Sequence, residues 1–347
     1  MILMSKRILV AACAAATALA LSACSPSAST GGKASKDGTL TVMASFYPLK
    51  YLAEKVGGEH VTVTSLTPDG AEPHDLELSP KMVDSLASAD AVVYLAGFQG
   101  AVDEAIEQHA PTTVIDVSSA AQLVAIDSTS NHPGEDEGTD EAQSGEAQSG
   151  KAQSGEAADH DHEGHEHEGH DHHHDMSMDP HFWLDPARMA NAATLVGDKL
   201  AEANPANAEM YKTNAKALKD ELTSLGNDLV SKTSTCQIKT FVTAHTAFGY
   251  LADRTGLTQV GISGLDPESS PSPARLAEIG KIAKDQGVTT IFTEALIDPK
   301  VAQTLADDLG ISTAVLDPIE SQTDSSKDYA AVMNDNIAAL TKANNCQ

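Results

Sequence analysis

Three histidines stand in short segments whose composition suggests a shared chemical role. His74 lies in the segment EPHDLELSP, His181 in DPHFWLDP and His245 in HTAFGYLA. Imidazole is a good ligand for zinc and related metal ions, so three such rings brought together could hold one ion. A single loop histidine is more often solvated or structural. Only the set as a whole supports a site.

The carboxyl ends of predicted strands carry three candidate side chains. His74 follows the strand that ends at Leu66, and His245 follows the strand that ends near Thr243. Asp317 closes a further strand and precedes a proline. In open α/β sheets, ligands bind at this edge. Two such edges that face each other across a cleft could bring these residues together.

Two stretches of the chain alternate short apolar runs with helical patterns. This alternation predicts an α/β fold of two lobes, each with a mainly parallel sheet flanked by helices. The predicted strands lie at 40–46, 61–66, 91–95 and 113–117 in the first stretch, and near 238–243, 258–262, 288–293 and 312–316 in the second. The predicted helices include 48–56, 80–88, 100–109 and about 326–343.

Two helical segments separate these stretches. Asp185 and Pro186 form an N-cap followed by proline at the first helical position. After Asn204, apolar residues recur at spacings of three and four from Tyr211 to Leu229. This pattern predicts a helix of about 27 residues, roughly 40 Å long. Such a seam could form a coiled coil, but a rigid helix that packs across both lobes is favoured.

The N-terminal residues have the pattern of an export signal. Lys6 and Arg7 precede an apolar run that ends at Leu21 and is too short for a comfortable transmembrane helix. The segment LSAC resembles the lipobox of bacterial lipoproteins, which implies cleavage before Cys24 and its lipidation. We therefore expect an extracytoplasmic protein anchored to the outer face of the cell membrane. An ordinary cleaved signal is the alternative.

The other cysteines are interpreted from the predicted compartment. Cys13 leaves with the signal, so Cys236 and Cys346 remain beside the lipid site. An exported chain meets an oxidising environment. We therefore predict a disulfide between Cys236 and Cys346, with two free thiols as the alternative.

The histidine segments, together with LDP at Asp317, occur in the order found in a known family. They resemble the zinc-type metal-binding solute receptors of bacterial ABC importers, a class that also includes manganese receptors. The resemblance runs from about Thr39 to the C-terminus, apart from an insert at 127–178. It implies two α/β lobes joined by one long helix, a metal site in the cleft between them, Zn(II) as the bound ion and an ABC permease as the partner.

The same resemblance implies a ligand set of His74, His181, His245 and Asp317. Receptors for zinc resemble this chain in having histidine at the third position, whereas manganese receptors usually have glutamate there and manganese prefers oxygen ligands. Manganese is the second choice of metal. The fourth position could instead be filled by water or a nearby carboxylate. Glu294, after the predicted strand 288–293, could lie beside the ligands and offset their charge, or it could be a solvated acid.

The insert 127–178 has the composition of a disordered segment. It contains fifteen acidic residues, one lysine and three copies of AQSG, without hydrophobic periodicity. Its imidazoles could form weak, exchangeable sites that raise the zinc concentration near the cleft, or the segment could be a solvated tether. The eight candidate auxiliary ligands are His160, His162, His165, His167, His170, His172, His173 and His174.

Charge and composition exclude some classes of protein. The 347 residues include 22 Lys and Arg against 50 Asp and Glu, for a formal charge of −28. A phosphate backbone would be repelled, so a nucleic-acid partner is excluded. The apolar fraction of 41% supports a globular core. The expected organisation is a signal peptide at 1–23, a tether at 24–39, an N-terminal lobe at 40–185, a helical segment at 186–235 and a C-terminal lobe at 236–347.

Two other functions remain as alternatives to a monomeric zinc receptor. One is a secreted zinc hydrolase, because zinc also serves catalysis. Neither a His-Glu-x-x-His motif nor a nucleophile elbow occurs, so we expect a protein that is not an enzyme. The other is a cell-adhesion or metal-storage protein whose insert carries the function. Deletion of the insert distinguishes storage from a receptor, because a receptor keeps one tight site.

Overall fold

The computed structural model describes residues 38–126 and 178–347. The predicted signal peptide, the lipid site Cys24, almost all of the tether and all but one residue of the insert lie outside these residues and stay predictions. None of the helices in the described residues is both long and apolar enough to cross a membrane.

The first lobe is built on a four-stranded parallel sheet. Its strands are β1 (Leu40–Ala44), β2 (Val61–Ser65), β3 (Ala91–Tyr94) and β4 (Thr113–Asp116), in the order β2-β1-β3-β4. The helices of this lobe are α1 (Tyr47–Gly57), α2 (Pro80–Ser88), α3 (Gly100–His109) and α4 (Ser118–Ala121). Each strand begins at its predicted residue and ends one or two residues earlier. The central strands β1 and β3 are apolar and largely buried, as strands covered on both faces require, whereas the edge strand β2 exposes Thr62 and Thr64.

Two helices connect the sheets, namely α5 (Pro186–Ala203) and α6 (Ala208–Thr233). The carboxylate of Asp185 accepts the N–H of Ala187 at 2.9 Å, which caps α5 as the sequence predicts. Helix α6 has 26 residues and packs along α5. Its apolar stripe is buried at Tyr211, Ala215, Leu218, Leu222, Leu225 and Leu229.

The second lobe repeats the arrangement of the first. Its strands are β5 (Thr240–Thr243), β6 (Thr258–Gly261), β7 (Thr290–Thr293) and β8 (Ser312–Val315), all parallel, in the order β6-β5-β7-β8. Its helices are α7 (Gly249–Thr255), α8 (Pro273–Asp285), α9 (Lys300–Leu309) and α10 (Tyr329–Ala343). Helix α6 packs against α1 of the first lobe and α10 of the second, so it extends across both lobes as expected.

One hydrophobic core connects the two lobes. It includes Phe46 after β1, Trp183 before α5 and Tyr329 in α10, all fully buried. Successive residues of a strand face opposite sides of a sheet. Val42 therefore contributes to this core, while Met43 faces a smaller cluster with α2 and α3. A second small cluster lies between the other sheet and helices α8 and α9.

A disulfide joins Cys236, just after α6, to Cys346, just after α10. The pairing is the one expected from the sequence. It joins the segment after α10 to the end of the long helix α6. The two cysteines are 110 residues apart in sequence.

Candidate metal site

Four side chains converge in the cleft between the lobes. They are His74, His181, His245 and Glu320, and one ligand atom from each lies within 4.8 Å of all the others. Oε1 of Glu320 is 3.4 Å from Nε2 of His74 and 3.3 Å from Nε2 of both His181 and His245. Within the described residues, this is the group of His, Cys, Asp and Glu side chains that could hold a metal ion. Three imidazoles and one carboxylate are a donor set that suits a tetrahedral zinc ion.

Loops at the carboxyl ends of strands supply three of these four residues. His74 lies between β2 and α2, and His245 lies between β5 and α7. Glu320 lies between β8 and α10, and His181 immediately precedes a short 3₁₀ helix and α5. Both sheets present the same edge to the cleft, which is where ligands bind in such sheets.

Asp179 fixes the ring of His181. Its Oδ1 atom accepts the backbone N–H of His181 at 2.9 Å and lies 2.8 Å from Nδ1 of the ring. Both side chains are fully buried. A carboxylate on Nδ1 holds a proton there, so Nε2 is the nitrogen that remains free to bind a metal.

Glu294 has the same relation to His245. Its two carboxylate oxygens lie 2.8 and 2.7 Å from Nδ1 of His245, and one also accepts the backbone N–H of His245 at 3.1 Å. Glu294 is only 6% exposed, so the alternative of a solvated acid does not hold. The Nε2 atoms of His181 and His245 are buried and have no hydrogen-bond partner. Unpaired buried donors and acceptors are rare, and a metal ion would satisfy both nitrogens.

His74 is held by its own loop and by an aromatic contact. The carboxylate of Glu72 accepts the backbone N–H of His74 at 2.9 Å, and another oxygen of Glu72 lies 4.0 Å from Nε2 of His74. The ring of Phe98 meets the imidazole edge to face, with 4.9 Å between the ring centres. This loop therefore positions His74 on the first-lobe side of the cleft.

The charge of the site requires a cationic counterpart. The carboxylates of Asp179, Glu294 and Glu320 are all buried around three imidazoles. Burying a charge without a partner costs free energy. If all three imidazoles were neutral, the negative charges of these carboxylates would be uncompensated and would destabilise the folded protein. Either protons on the imidazoles or a bound cation must offset these charges.

In the protein without metal, protons serve this role. Burial opposes the protonation of His245, but the carboxylates of Glu294 and Glu320 outweigh it and raise its pKa to about 10. Burial also opposes protonation of His181, but Asp179 and Glu320 raise its pKa. Burial lowers the pKa of His74. Although burial disfavours its ionised form, the rings of His181 and His245, whose Nε2 atoms lie 3.3 Å from Oε1 of Glu320, hold the pKa of Glu320 well below its usual value.

Asp317 does not belong to the converging group. Its carboxylate accepts the backbone N–H of Ile319 at 2.7 Å, and Asn336 pairs with its backbone N–H and C=O at 2.8 and 2.7 Å. Ile319 has a positive φ of 58°, a conformation that turns the chain sharply. Asp317 thus stabilises the turn, and the acid three residues later, Glu320, enters the site. Glu320, and not the expected Asp317, is therefore the carboxylate of the group that could hold a metal ion.

The sequence reasoning missed Glu320 because no motif marks it. One signal was available: Asp317 and Glu320 are two acids in one short loop after a strand, and only one of them is needed to form the turn. The other three expected ligands come together in the cleft, and Glu294 lies next to His245.

The fold and the site define a two-lobed α/β protein with a buried group of three histidines and a glutamate between the lobes. The chain belongs to the ZnuA family. The family model, described as zinc-uptake complex component A, periplasmic, matches residues 42–343.

Curated relatives have related names. The chain is 33% identical over 316 residues to the zinc-binding protein AdcA of Streptococcus pyogenes serotype M3, which covers 88% of this chain and 56% of AdcA. The chain thus spans about half the length of that relative. It is 32% identical over 333 residues to the high-affinity zinc uptake system protein ZnuA of Bacillus subtilis, with 94% of both chains covered.

Solved structures share the fold. The laminin-binding protein Lmb of Streptococcus agalactiae, described as bifunctional with adhesin and metal-transporting activity, matches with a TM-score of 0.70 and 28% identity, covering 88% of this chain and 99% of Lmb. The Zn(II)-bound ZnuA-like domain of Streptococcus pneumoniae AdcA matches with a TM-score of 0.66 and 28% identity, covering 88% and 99%.

Proposed function

We propose that this protein is an extracytoplasmic receptor that captures Zn(II) between its lobes and delivers it to an ABC-type permease for high-affinity zinc uptake. The observation that carries the proposal is the convergence of three imidazole Nε2 atoms on one carboxylate oxygen at 3.3 to 3.4 Å. Zinc uptake by the ZnuA family, and zinc in the AdcA domain structure, support the choice of cargo.

Zinc is favoured over manganese because nitrogen donors dominate the site. Manganese prefers oxygen ligands and higher coordination numbers, while zinc accepts three imidazoles and one carboxylate. The carboxylates of Asp179 and Glu294 increase the basicity of two of these rings and offset the charge of the ion.

A binding role is favoured over hydrolysis. Catalytic zinc usually keeps an open position for water, with a general base beside it. Here four buried donor atoms would enclose the ion. Two additional acids, Asp179 and Glu294, are engaged on the Nδ1 side of His181 and His245. A third, Glu72, accepts the backbone N–H of His74 with one oxygen, and its other oxygen lies 4.0 Å from Nε2 of His74.

Release would follow from separation of the lobes. His74 belongs to the first lobe, and His245 and Glu320 belong to the second. A movement that increased the distance between the lobes would remove ligands from the ion, which suits a protein that must deliver its cargo.

The remaining features concern residues outside the described ranges. Lipidation of Cys24 would hold the receptor on the outer face of the membrane, and relatives named zinc-binding lipoprotein support that placement. The histidines of the insert would collect zinc near the cleft. We propose that the receptor acts as a monomer.

The proposal is tested by competitive zinc and manganese titration of the chain without its signal peptide, with and without residues 127–177. Met178 is kept because it pairs with Ala125 in a β-bridge. We expect one tight zinc-preferring site in both proteins and additional weak sites only with the insert. A storage protein would lose nearly all binding with the insert, and a manganese receptor would show the reverse preference.

Zinc binding should also release protons, because the ion replaces the charge that His181 and His245 carry in the metal-free protein. At pH 7.4 we expect at least one proton per zinc, from His245, with a further contribution from His181 because its pKa is also raised, and an apparent affinity that rises with pH up to about 10. The measurement is calorimetry at one pH in buffers of different ionisation enthalpy. Binding heats that do not depend on the buffer would contradict the charge state assigned to these two histidines.

A further inference from the structure

A tyrosine of the second lobe contacts the residue that orients His181. Tyr250 lies in α7, is 1% exposed, and donates its hydroxyl hydrogen to the backbone C=O of Asp179 at 2.7 Å. The same hydroxyl accepts the backbone N–H of Val124 at 3.0 Å. Asp179 also donates its own backbone N–H to the C=O of Val124 at 2.9 Å. One hydroxyl therefore joins two separate segments of the first lobe.

The ring of Tyr250 is itself held in place. The guanidinium of Arg188 lies over it, 4.5 Å from the ring centre, and donates to the backbone C=O groups of Ala121 and Gln122. Such a stacked, hydrogen-bonded arginine restricts the ring to one orientation. The hydroxyl consequently has a fixed position relative to Asp179.

The contact continues directly to a candidate metal ligand. The carboxylate of Asp179 accepts both the backbone N–H and the Nδ1–H of His181, so a shift of Asp179 moves the ring that carries Nε2. Tyr250 also follows His245 by only five residues in the loop and first turn of α7. One short segment thus provides one ligand of the site and positions another.

We infer that Tyr250 is a positioning residue that sets the orientation of His181 through Asp179 and so determines how well the site binds zinc. This inference rests on the proposed function. Partners that orient metal ligands typically contribute about 10–100-fold to affinity, and Tyr250 acts one contact further out, so we expect about a tenfold effect.

The test compares Tyr250→Phe with the unsubstituted protein, in the chain without its signal peptide. Zinc affinity is measured by competition with a chelator, and the visible absorption of Co(II) at the tight site reports ligand geometry. We expect about tenfold weaker zinc binding and an altered cobalt spectrum. The matched control is Tyr51→Phe, because the hydroxyl of Tyr51 is buried without a hydrogen-bond partner. It should leave both readouts unchanged.

A double-mutant cycle with Asp179→Asn tests the route of the effect. If Tyr250 acts through Asp179, the two substitutions together should weaken zinc binding by less than the product of their separate effects. The inference would be overturned if the two substitutions weakened zinc binding by the full product of their separate effects. It would also be overturned if Tyr250→Phe lowered the thermal unfolding temperature but left the zinc affinity and the cobalt spectrum unchanged. Failure of the unsubstituted protein to bind zinc tightly would instead refute the proposed function.

Discussion

Substitution of Glu320 by glutamine is expected to weaken zinc binding by more than about 100-fold, beyond the range typical of residues that only orient a ligand. The amide keeps the size of the side chain but removes the negative charge that lies 3.3 to 3.4 Å from three imidazole nitrogens. The matched substitution Asp317→Asn keeps a carbonyl oxygen that can accept the N–H of Ile319. It should therefore weaken zinc binding by less than about tenfold. Both affinities are measured by chelator competition in the insert-deleted protein.

These two variants decide between the two acids of one loop. The LDP segment predicts Asp317 as the fourth ligand, whereas the positions of the side chains in the cleft favour Glu320. A larger loss of zinc affinity for Asp317→Asn than for Glu320→Gln would refute the assignment of Glu320. Burial raises the pKa of Asp317 although the N–H of Ile319 lowers it, whereas the neighbouring histidines hold the pKa of Glu320 well below its usual value despite burial.

Substitution of His245 by alanine should abolish tight zinc binding and also destabilise the metal-free protein. Without the imidazole, the carboxylate of Glu294 remains buried and loses its charged partner. Removal of one member of a buried pair typically costs about 3–5 kcal/mol. The pKa of His245 is raised to about 10, so its contribution to stability is complete below about pH 6.5 and is lost as pH rises through 10. The deficit in the free energy of unfolding should therefore be evident at pH 6 and shrink at high pH.

The variant His245→Asn separates the two effects. Its amide nitrogen can take the position of Nδ1 and donate to Glu294, but it has no equivalent of Nε2. We expect zinc binding as poor as in His245→Ala, with part of the lost stability restored. Denaturant unfolding of the metal-free proteins measures the difference. Equal stability of His245→Ala and the unsubstituted protein would mean that Glu294 is not held by His245.

Sequence patterns predicted most of the fold because its elements are local. Strand and helix positions follow from apolar periodicity and from capping residues. Asp185, for example, is predicted to cap a helix and caps α5 in the structure. The alternation of strands and helices then leaves few ways to build a sheet. The ends of the strands were less certain by one or two residues, since the hydrogen-bonding partner of a strand determines where pairing stops.

The sequence predicted those residues of the site that lie in short, recognisable sequence motifs. His74 and His245 each follow a predicted strand, His181 precedes a predicted helix, and the position of Glu294 after β7 follows from the same edge rule. Glu320 could not be selected in this way. Its position depends on the turn at Ile319 and on the anchoring of Asp317 by Asn336, an α10 residue distant in sequence. Tertiary contacts of this kind have no local signature.

The single core that connects both lobes has a thermodynamic consequence. Because Phe46, Trp183 and Tyr329 pack in one cluster, neither half of the molecule can lose its native packing without exposing apolar surface of the other. The lobes are therefore expected to unfold together in one cooperative transition rather than in two independent steps. An ion bound in the cleft would stabilise the entire described chain, and its saturation could be followed from a single melting curve.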